Sequence, residues 1–316
     1  MEPVAGQTLQ NWLRHPSLSS STYIIHNEFL GENNRRTVTL SAVNATFGAG
    51  TPVQFMAGFD VLERKLMSFE WVFRPVSQLY IRAGIQRMPY LLETSYSPRI
   101  LEAIGFSQAT SYLGGYSRDL SGKNSRSRDC GIALEGTFLP RDGYHVVNVV
   151  LGVFNGNGYS FADDNKPKDV HGRVVFQPLK TLKFSLGGMT GRYGEDCRLR
   201  QRLSAGVWYD NGKYFLRSEN IFGYTNGLSS DGISALAGVW FKESMAMSAR
   251  LDRFQKDLTD SQTSSTKVGL CFTHMLVPSR NISYRIQYGY TFMADPALKD
   301  INTLALCLIC RFSTTL

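Results

Sequence analysis

Leu79-Tyr80-Ile81-Arg82-Ala83-Gly84-Ile85-Gln86 and Gly131-Ile132-Ala133-Leu134-Glu135-Gly136-Thr137-Phe138 flank the longest interruption in the chain, residues 87–130. In the first stretch Leu79, Ile81, Ala83 and Ile85 alternate with Tyr80, Arg82, Gly84 and Gln86. A period of two with one apolar and one polar face marks a strand that meets an apolar medium on one side and water on the other. The interruption is rich in Ser, Tyr, Gly and Arg, with Pro89, Pro98 and Gly114-Gly115. Irregular loops of this length are uncommon in compact proteins and are usually functional. The loop's amides need water or partners, and a wide water-filled lumen walled by strands supplies both.

The same alternation runs outward in both directions. Strands are expected at residues 23–30, 37–47, 53–59, 69–73, 79–86, 131–138, 144–154, 170–177, 182–190, 203–209, 214–222, 233–241, 245–253, 267–275, 282–292 and 303–312. In the second of these Val38, Leu40 and Ala42 alternate with Thr39 and Ser41. About sixteen strands of near ten residues suit a transmembrane barrel, whose alternating strands score as only mildly hydrophobic. No run of about 18 apolar residues is present, so no spanning helix is expected. Every second connection is a short turn of Gly, Pro, Asn, Asp or Ser, such as Pro140-Arg141-Asp142-Gly143 or Asp210-Asn211-Gly212. The others are expected to be longer and polar, including a Gly/Ser loop around residues 227–232. Short turns on one side and long loops on the other are the asymmetry of outer-membrane barrels. No blade-length repeat of a propeller is found. The expected fold is all-β: a closed antiparallel transmembrane barrel over residues 21–316, with short periplasmic turns and long extracellular loops. The third loop, 87–130, is expected inside the lumen rather than as a lid on the rim. Residues 1–20 are expected to be an irregular periplasmic segment with a short helix around 7–13. Met1-Glu2-Pro3-Val4-Ala5-Gly6 has neither a basic n-region nor an apolar h-region, so a processed or trimmed form is expected.

Aromatic residues gather at strand ends: Phe47, Phe73, Phe138, Phe176, Tyr209, Phe241 and Phe312 near the short turns, and Phe154, Phe222, Tyr288, Tyr290 and Phe292 near the loops. Two aromatic girdles at the membrane interfaces have this pattern. The polar faces carry Arg82, Arg173, Lys183, Arg202, Arg217, Arg250, Lys267, Arg285 and Arg311, with Glu70, Glu135, Glu219 and Asp252. An Arg or Lys facing lipid at mid-membrane costs about 2–4 kcal/mol, so these side chains are expected to line the lumen. Each alone is as well explained by a structural pair, such as Arg217 with Glu219 or Arg250 with Asp252. The loop adds Arg87, Arg99, Arg118, Lys123, Arg126 and Arg128 against Glu93, Glu102, Asp119 and Asp129. With a formal charge of +8, the set predicts a positive pore that concentrates anions. Nucleic acid is not the expected partner, because the basic residues are spread one per strand.

Five cysteines are an odd number for a disulfide framework. Cys307 and Cys310 point to opposite strand faces and cannot share a metal; Cys130 and Cys197 both fall at loop ends, where a bridge is conceivable but is not the expectation. No nucleophile motif accompanies the five histidines, and His145 and Asn148 cannot share a strand face, so no enzymatic activity is expected. Asp163-Asp164-Asn165 lacks the spacing and Gly of a calcium loop. No metal or other cofactor is expected.

Four segments carry a resemblance. Arg82-Ala83-Gly84-Ile85-Gln86-Arg87-Met88-Pro89-Tyr90 resembles the R-x-G-Q-x-K-x-P-F strand end of the phosphate-selective porin O and P family, with Ile85 where the family favours Gln. Asp129 to Gly136 is similar to the strand after that family's third loop. Gly152-Val153-Phe154-Asn155-Gly156-Asn157-Gly158 resembles its G-V-F-N-G-x-G, and Lys168-Asp169-Val170-His171-Gly172-Arg173 with Pro178-Leu179 its K-D-x-x-G-R…P-L. The resemblance implies a sixteen-stranded trimeric barrel with the third loop folded inside and basic residues feeding the constriction. The expected role is a passive channel for small anions, of the phosphate or polyphosphate class, in the outer membrane of a Gram-negative bacterium. Lipid and lipopolysaccharide would surround a homotrimer. An unselective diffusion porin and a plugged structural or assembly barrel are the alternatives.

Overall fold

The computed structural model describes residues 16–30, 34–96, 102–116, 125–159, 163–276 and 281–315. Sixteen antiparallel strands run in chain order: β1 Ser17–Leu30, β2 Asn34–Phe47, β3 Val53–Asp60, β4 Lys65–Val76, β5 Leu79–Arg87, β6 Arg128–Arg141, β7 Tyr144–Phe154 and β8 Asp169–Leu179. They continue as β9 Leu182–Tyr193, β10 Arg198–Asp210, β11 Tyr214–Thr225, β12 Leu228–Lys242, β13 Met245–Gln255, β14 Ser264–Met275, β15 Ile282–Met293 and β16 Ile301–Thr315. Each strand pairs with its chain neighbours, and β1 pairs with β16 from Ser17↔Thr315 to Leu30↔Asn302, closing the barrel. Closure leaves no unpaired edge, and a sheet within lipid needs that because lipid offers its amides no partner.

Every expected strand is present, and most are longer than the apolar alternation alone indicated. β1 begins at Ser17, inside the stretch expected to be irregular; the expected helix at 7–13 lies outside the described residues. The polar ends of β4, β6 and β10 remain paired although they no longer alternate. The expected loop at 227–232 is instead the two-residue turn Asn226-Gly227, both with positive φ, and Leu228 already begins β12. Asn-Gly with both φ values positive is the tight hairpin turn that matches strand twist. Connections on the loop side are thus not uniformly long. They range from this turn to residues 88–127, while short-turn connections such as 142–143 and 180–181 hold two residues each.

An apolar band covers most of the outer wall, with Ile132, Leu134, Val153, Val174, Leu186, Leu203, Leu251 and Leu270 exposed. Phe73, Phe138, Phe176, Phe241 and Phe312 are exposed near the short turns, and Phe222, Tyr288 and Phe292 near the loops. Phe154 is a correction to the girdle: it is 1% exposed and packs inside against Ala133 and Val150. The closed barrel and this band place the protein in a Gram-negative outer membrane. β2 reverses the expected facing. Leu40 pairs with Tyr23 and both join an interior cluster, so Val38, Leu40 and Ala42 face the lumen while Thr39 and Ser41 face outward.

Candidate functional site

The lumen is defined by what fills it. The described parts of the loop, residues 88–96, 102–116 and 125–127, lie inward of the wall and include two short helices, α1 Leu92–Ser95 and α2 Gln108–Leu113. Apolar side chains of the loop sit on apolar patches of the inner wall. Tyr90, Leu91, Ala109 and Leu113 pack with Met189, Ile221 and Phe254. Leu92 meets Val175 and Trp208, Ala103 meets Phe215 and Leu236, and Ile104 meets Tyr23, Cys271 and Ile309. Inward glycines make room: a Cβ on Gly187 would stand 2.0 Å from the Tyr90 carbonyl oxygen, and one on Gly232 2.5 Å from Ala109 Cβ.

Polar staples fix the register of this packing. The Glu219 carboxylate accepts the amides of Leu92 and Glu93, each at 2.8 Å, at the start of α1. Asp252 accepts the Gln108 amide at 2.8 Å at the start of α2, and Gln287 accepts the Ile104 amide at 2.8 Å between them. Ser107 caps α2 through the Thr110 amide, and its own amide and hydroxyl bond Glu93. Arg250 reaches Glu93 at 3.1 Å and the Gly105 carbonyl at 3.1 Å. Arg217 reaches Glu102 at 2.6 Å and Asp210 at 3.2 Å, lying 3.6 Å over the Trp208 ring. Each fully buried leucine contributes about 1.5–3 kcal/mol. Desolvation offsets most of what a buried ion pair gains. Apolar packing therefore supplies the affinity of the loop for the wall, and the charges determine where it sits.

These staples correct two expected pairings. Glu219 and Asp252 do not neutralise Arg217 and Arg250 within their own strands, because each group binds the loop instead. The cross-strand pairing expected for the acids is found at Arg82, which reaches Glu135 at 2.7 Å and Glu70 at 3.3 Å. Arg173 donates to the Leu91 carbonyl at 2.7 Å and Lys183 to the Tyr96 hydroxyl at 3.0 Å. Arg202 donates to the Tyr224 carbonyl, and Arg285 is buried in the wall. Lys267, opposite Thr291, and Arg311, opposite Ser21, also lie on lumenal faces, by strand parity with the buried Cys271 and Cys307. Arg126 binds Asp60 at 3.0 Å and also Glu63. Arg87 ends β5 and Arg128 begins β6, opposite each other, while Arg99, Arg118 and Lys123 lie outside the described residues. Sequence reasoning missed Arg200, which holds buried Asp169 at 2.7 Å; its polar parity beside Arg202 was the available signal. All five cysteines are free, so Cys130 and Cys197 do not pair.

Among the described residues, two water-accessible spaces of several hundred Å³ border the loop. One of about 310 Å³ lies between the loop and the β3–β8 wall, lined by Arg82, Arg87, Arg128 and Arg173 with Glu70 and Glu135. Among the described residues, Arg87, Arg128 and Arg173 have no carboxylate within ion-pair distance. They donate to carbonyls: Arg87 to Thr94 and Tyr96, Arg128 to Arg126, and Arg173 to Leu91. The other space, about 700 Å³, opens at the short turns and is lined by Lys180, Lys183, Arg217, Arg285 and Arg311 with Glu102, Asp210 and Glu243. Ser95 borders the first and Tyr96 the second. Burial pushes the Glu102 carboxyl on the loop up to about 7, while the Arg217 guanidinium pulls it down.

The fold is that of outer-membrane porins. The anion-selective porin from Comamonas acidovorans is similar over 95% of this chain and 98% of its own, with a TM-score of 0.67 at 11% identity. Salmonella typhi OmpF aligns over 94% and 97% with a TM-score of 0.69 at 10% identity, and Pseudomonas putida OprB over 94% and 94% with 0.65 at 10%. No protein-family model matches the chain, and no curated protein matches it in sequence.

Proposed function

We propose that the protein is a passive outer-membrane diffusion channel that favours small anions. The observation that carries this reading is the 310 Å³ space with four arginines against two glutamates, where among the described residues Arg82 alone of the four is held by carboxylates. A guanidinium whose partner is a carbonyl keeps its full charge, and its fork suits the paired oxygens of a phosphate-like anion. The vestibule below repeats the bias with five basic against three acidic side chains. An anion moving from Arg87 and Arg128 past Arg173 to Lys183 and Arg311 meets positive charge at each step. The Comamonas acidovorans porin of the same fold is anion-selective. Phosphate as the preferred anion rests on the motifs around Arg82 and Gly152. Assembly as a homotrimer within lipid and lipopolysaccharide rests on the same resemblance and on a Vibrio cholerae protein of this fold known in a trimer form.

The test is the reversal potential of single channels across a KCl gradient in a planar bilayer, followed by titration of phosphate against the chloride current. A reversal on the anion side is expected, with phosphate reducing the current. Anion reversal without reduction leaves an anion-favouring channel and removes phosphate. A large current without preference supports an unselective porin. Folded protein that never conducts makes the loop a plug, the outcome that the apolar packing of Leu91, Leu92 and Ile104 would explain.

A further inference from the structure

Not every cation of the wall faces the lumen. On β13, Asp252 bonds the loop at Gln108 and Phe254 packs in the loop's cluster with Leu113, so Arg253 between them points outward. Arg253 is exposed, and among the described residues no hydrogen bond or ion pair holds its guanidinium. Asp231, the acid diagonal to it on β12, is instead bonded by Asn220 at 3.1 Å. Register gives the height of Arg253 in the membrane. It stands opposite Thr266, and Thr266 opposite Phe292 of the loop-side girdle. At that level a charge is cheap, because lipid headgroups and water meet the wall there.

Directly beneath, toward mid-membrane, the outer wall is hollowed. Leu251 pairs with Ala235, and Ala249 pairs with Ala237 on one side and Leu270 on the other. The three alanines leave a groove of about 450 Å³ beside the taller Leu251, Leu270 and Tyr288. The Tyr288 hydroxyl is bonded to Asn302 at 2.7 Å, which leaves its ring as an apolar wall. The groove begins two residues from Arg253, so a cation stands at the head of an apolar slot. A ligand that fits both has an anionic head and a hydrocarbon tail. The guanidinium fork suits two phosphate oxygens, and the Thr266 hydroxyl beside it is a further donor. A single acyl chain laid in the groove gains dispersion contacts on three sides. Free phosphate would use the head alone and leave the groove unexplained. On the loop side of a Gram-negative outer membrane the leaflet is a phosphorylated, multiply acylated glycolipid, which has both parts.

We propose that Arg253 and the groove beneath it bind one lipopolysaccharide molecule, with a lipid A phosphate on the guanidinium and one acyl chain against Leu251, Leu270 and Tyr288. The proposal rests on the lipid surroundings proposed above and gives them a specific site. It is independent of what the channel conducts.

The test titrates monophosphoryl lipid A into the folded, delipidated protein in mild detergent and counts bound molecules by native mass spectrometry. One saturable molecule per chain is expected. Arg253→Gln is expected to weaken it by about tenfold or more. Arg192→Gln, the same charge change at an exposed position on β9, is expected to leave it unchanged. Ala237→Phe with Ala249→Phe fills the groove with side chains that lipid tolerates, and is expected to weaken binding by about fivefold or more. Heat-dependent gel mobility of that protein is expected to match the parent. Absence of saturable binding, or equal losses from both Gln variants, overturns the site. A loss from Arg253→Gln with none from the phenylalanine variant leaves a surface charge and overturns the acyl slot. Phosphatidylglycerol that binds as tightly as lipid A overturns the identity of the lipid. A parent that fractionates with the outer membrane yet binds no lipid A loses the site and keeps its location, whereas a parent found in another membrane loses both. The reversal potential of Arg253→Gln is expected to equal the parent's, which separates this result from the channel reading.

Discussion

Glu102 shows how a single residue of the loop couples charge to acidity. Its folded value of about 7 lies above the ordinary 4.5, so the docked loop is favoured most below about pH 4.5. That contribution is lost as pH rises through about 7. Around it stand Arg217, Asp210 and Arg285, with Ser248 on its carbonyl. Protonation frees the charge of Arg217 toward the vestibule. Anion preference is therefore expected to rise between pH 8 and pH 5 with a midpoint near 7, and Glu102→Gln to hold it at the acidic level throughout, as read from reversal potentials. Arg87→Gln with Arg128→Gln removes two of the three guanidinium groups lining the 310 Å³ space that have no carboxylate partner among the described residues. The anion-to-cation permeability ratio is expected to fall several-fold, with folding unchanged. Arg82→Ala acts differently, because it strands Glu70 and Glu135 beside each other. Its loss is expected to appear both as weaker anion preference and as a lower unfolding temperature.

At the scale of elements, the loop is held by the starts of its two helices. Glu219→Ala leaves two buried amides of α1 without an acceptor, at about 1–3 kcal/mol each. Amide exchange over residues 92–96 is expected to speed by at least a hundredfold, and the channel to become larger and noisier. Unchanged exchange would show that apolar packing alone holds α1. In β5, Gly84 has φ +123, and a Cβ there would lie 2.0 Å from the Phe69 carbonyl oxygen. Gly84→Ala is expected to block correct β4–β5 pairing and to lower the yield of heat-resistant barrel. Strand positions were legible because lipid on one side and water on the other impose a period of two along the chain. The facing of β2 was not, since its apolar residues follow the same period whether they meet lipid or the loop. What distinguished them was Ile104, more than sixty residues away in sequence from Leu40.

For the whole molecule, the sixteen-strand closure and the inward loop together decide how much of the lumen stays open. Many of the basic side chains of the wall face inward, and much of that set is occupied there by the loop or by acids. Arg217 and Arg250 hold the loop, and Arg82 is held by two acids, so the net field comes from a smaller group around Arg87, Arg128 and Arg173. Reversing that group with Arg87→Glu and Arg128→Glu is expected to move the reversal potential to the cation side without altering heat-resistant gel mobility.

The amino-acid sequence alone determined the barrel, its strand number and the alternation of faces along most strands. These properties are local: alternation, turn chemistry and the cost of charge in lipid act within ten residues or across one turn. Only the tertiary structure decided which arginines are consumed as staples, where the loop lies along the wall, and that β2 presents hydroxyls outward. Each of those depends on contacts between residues far apart in the chain, such as Glu219 with Leu92 and Tyr23 with Ile104, and periodicity along a strand carries no record of its distant partner.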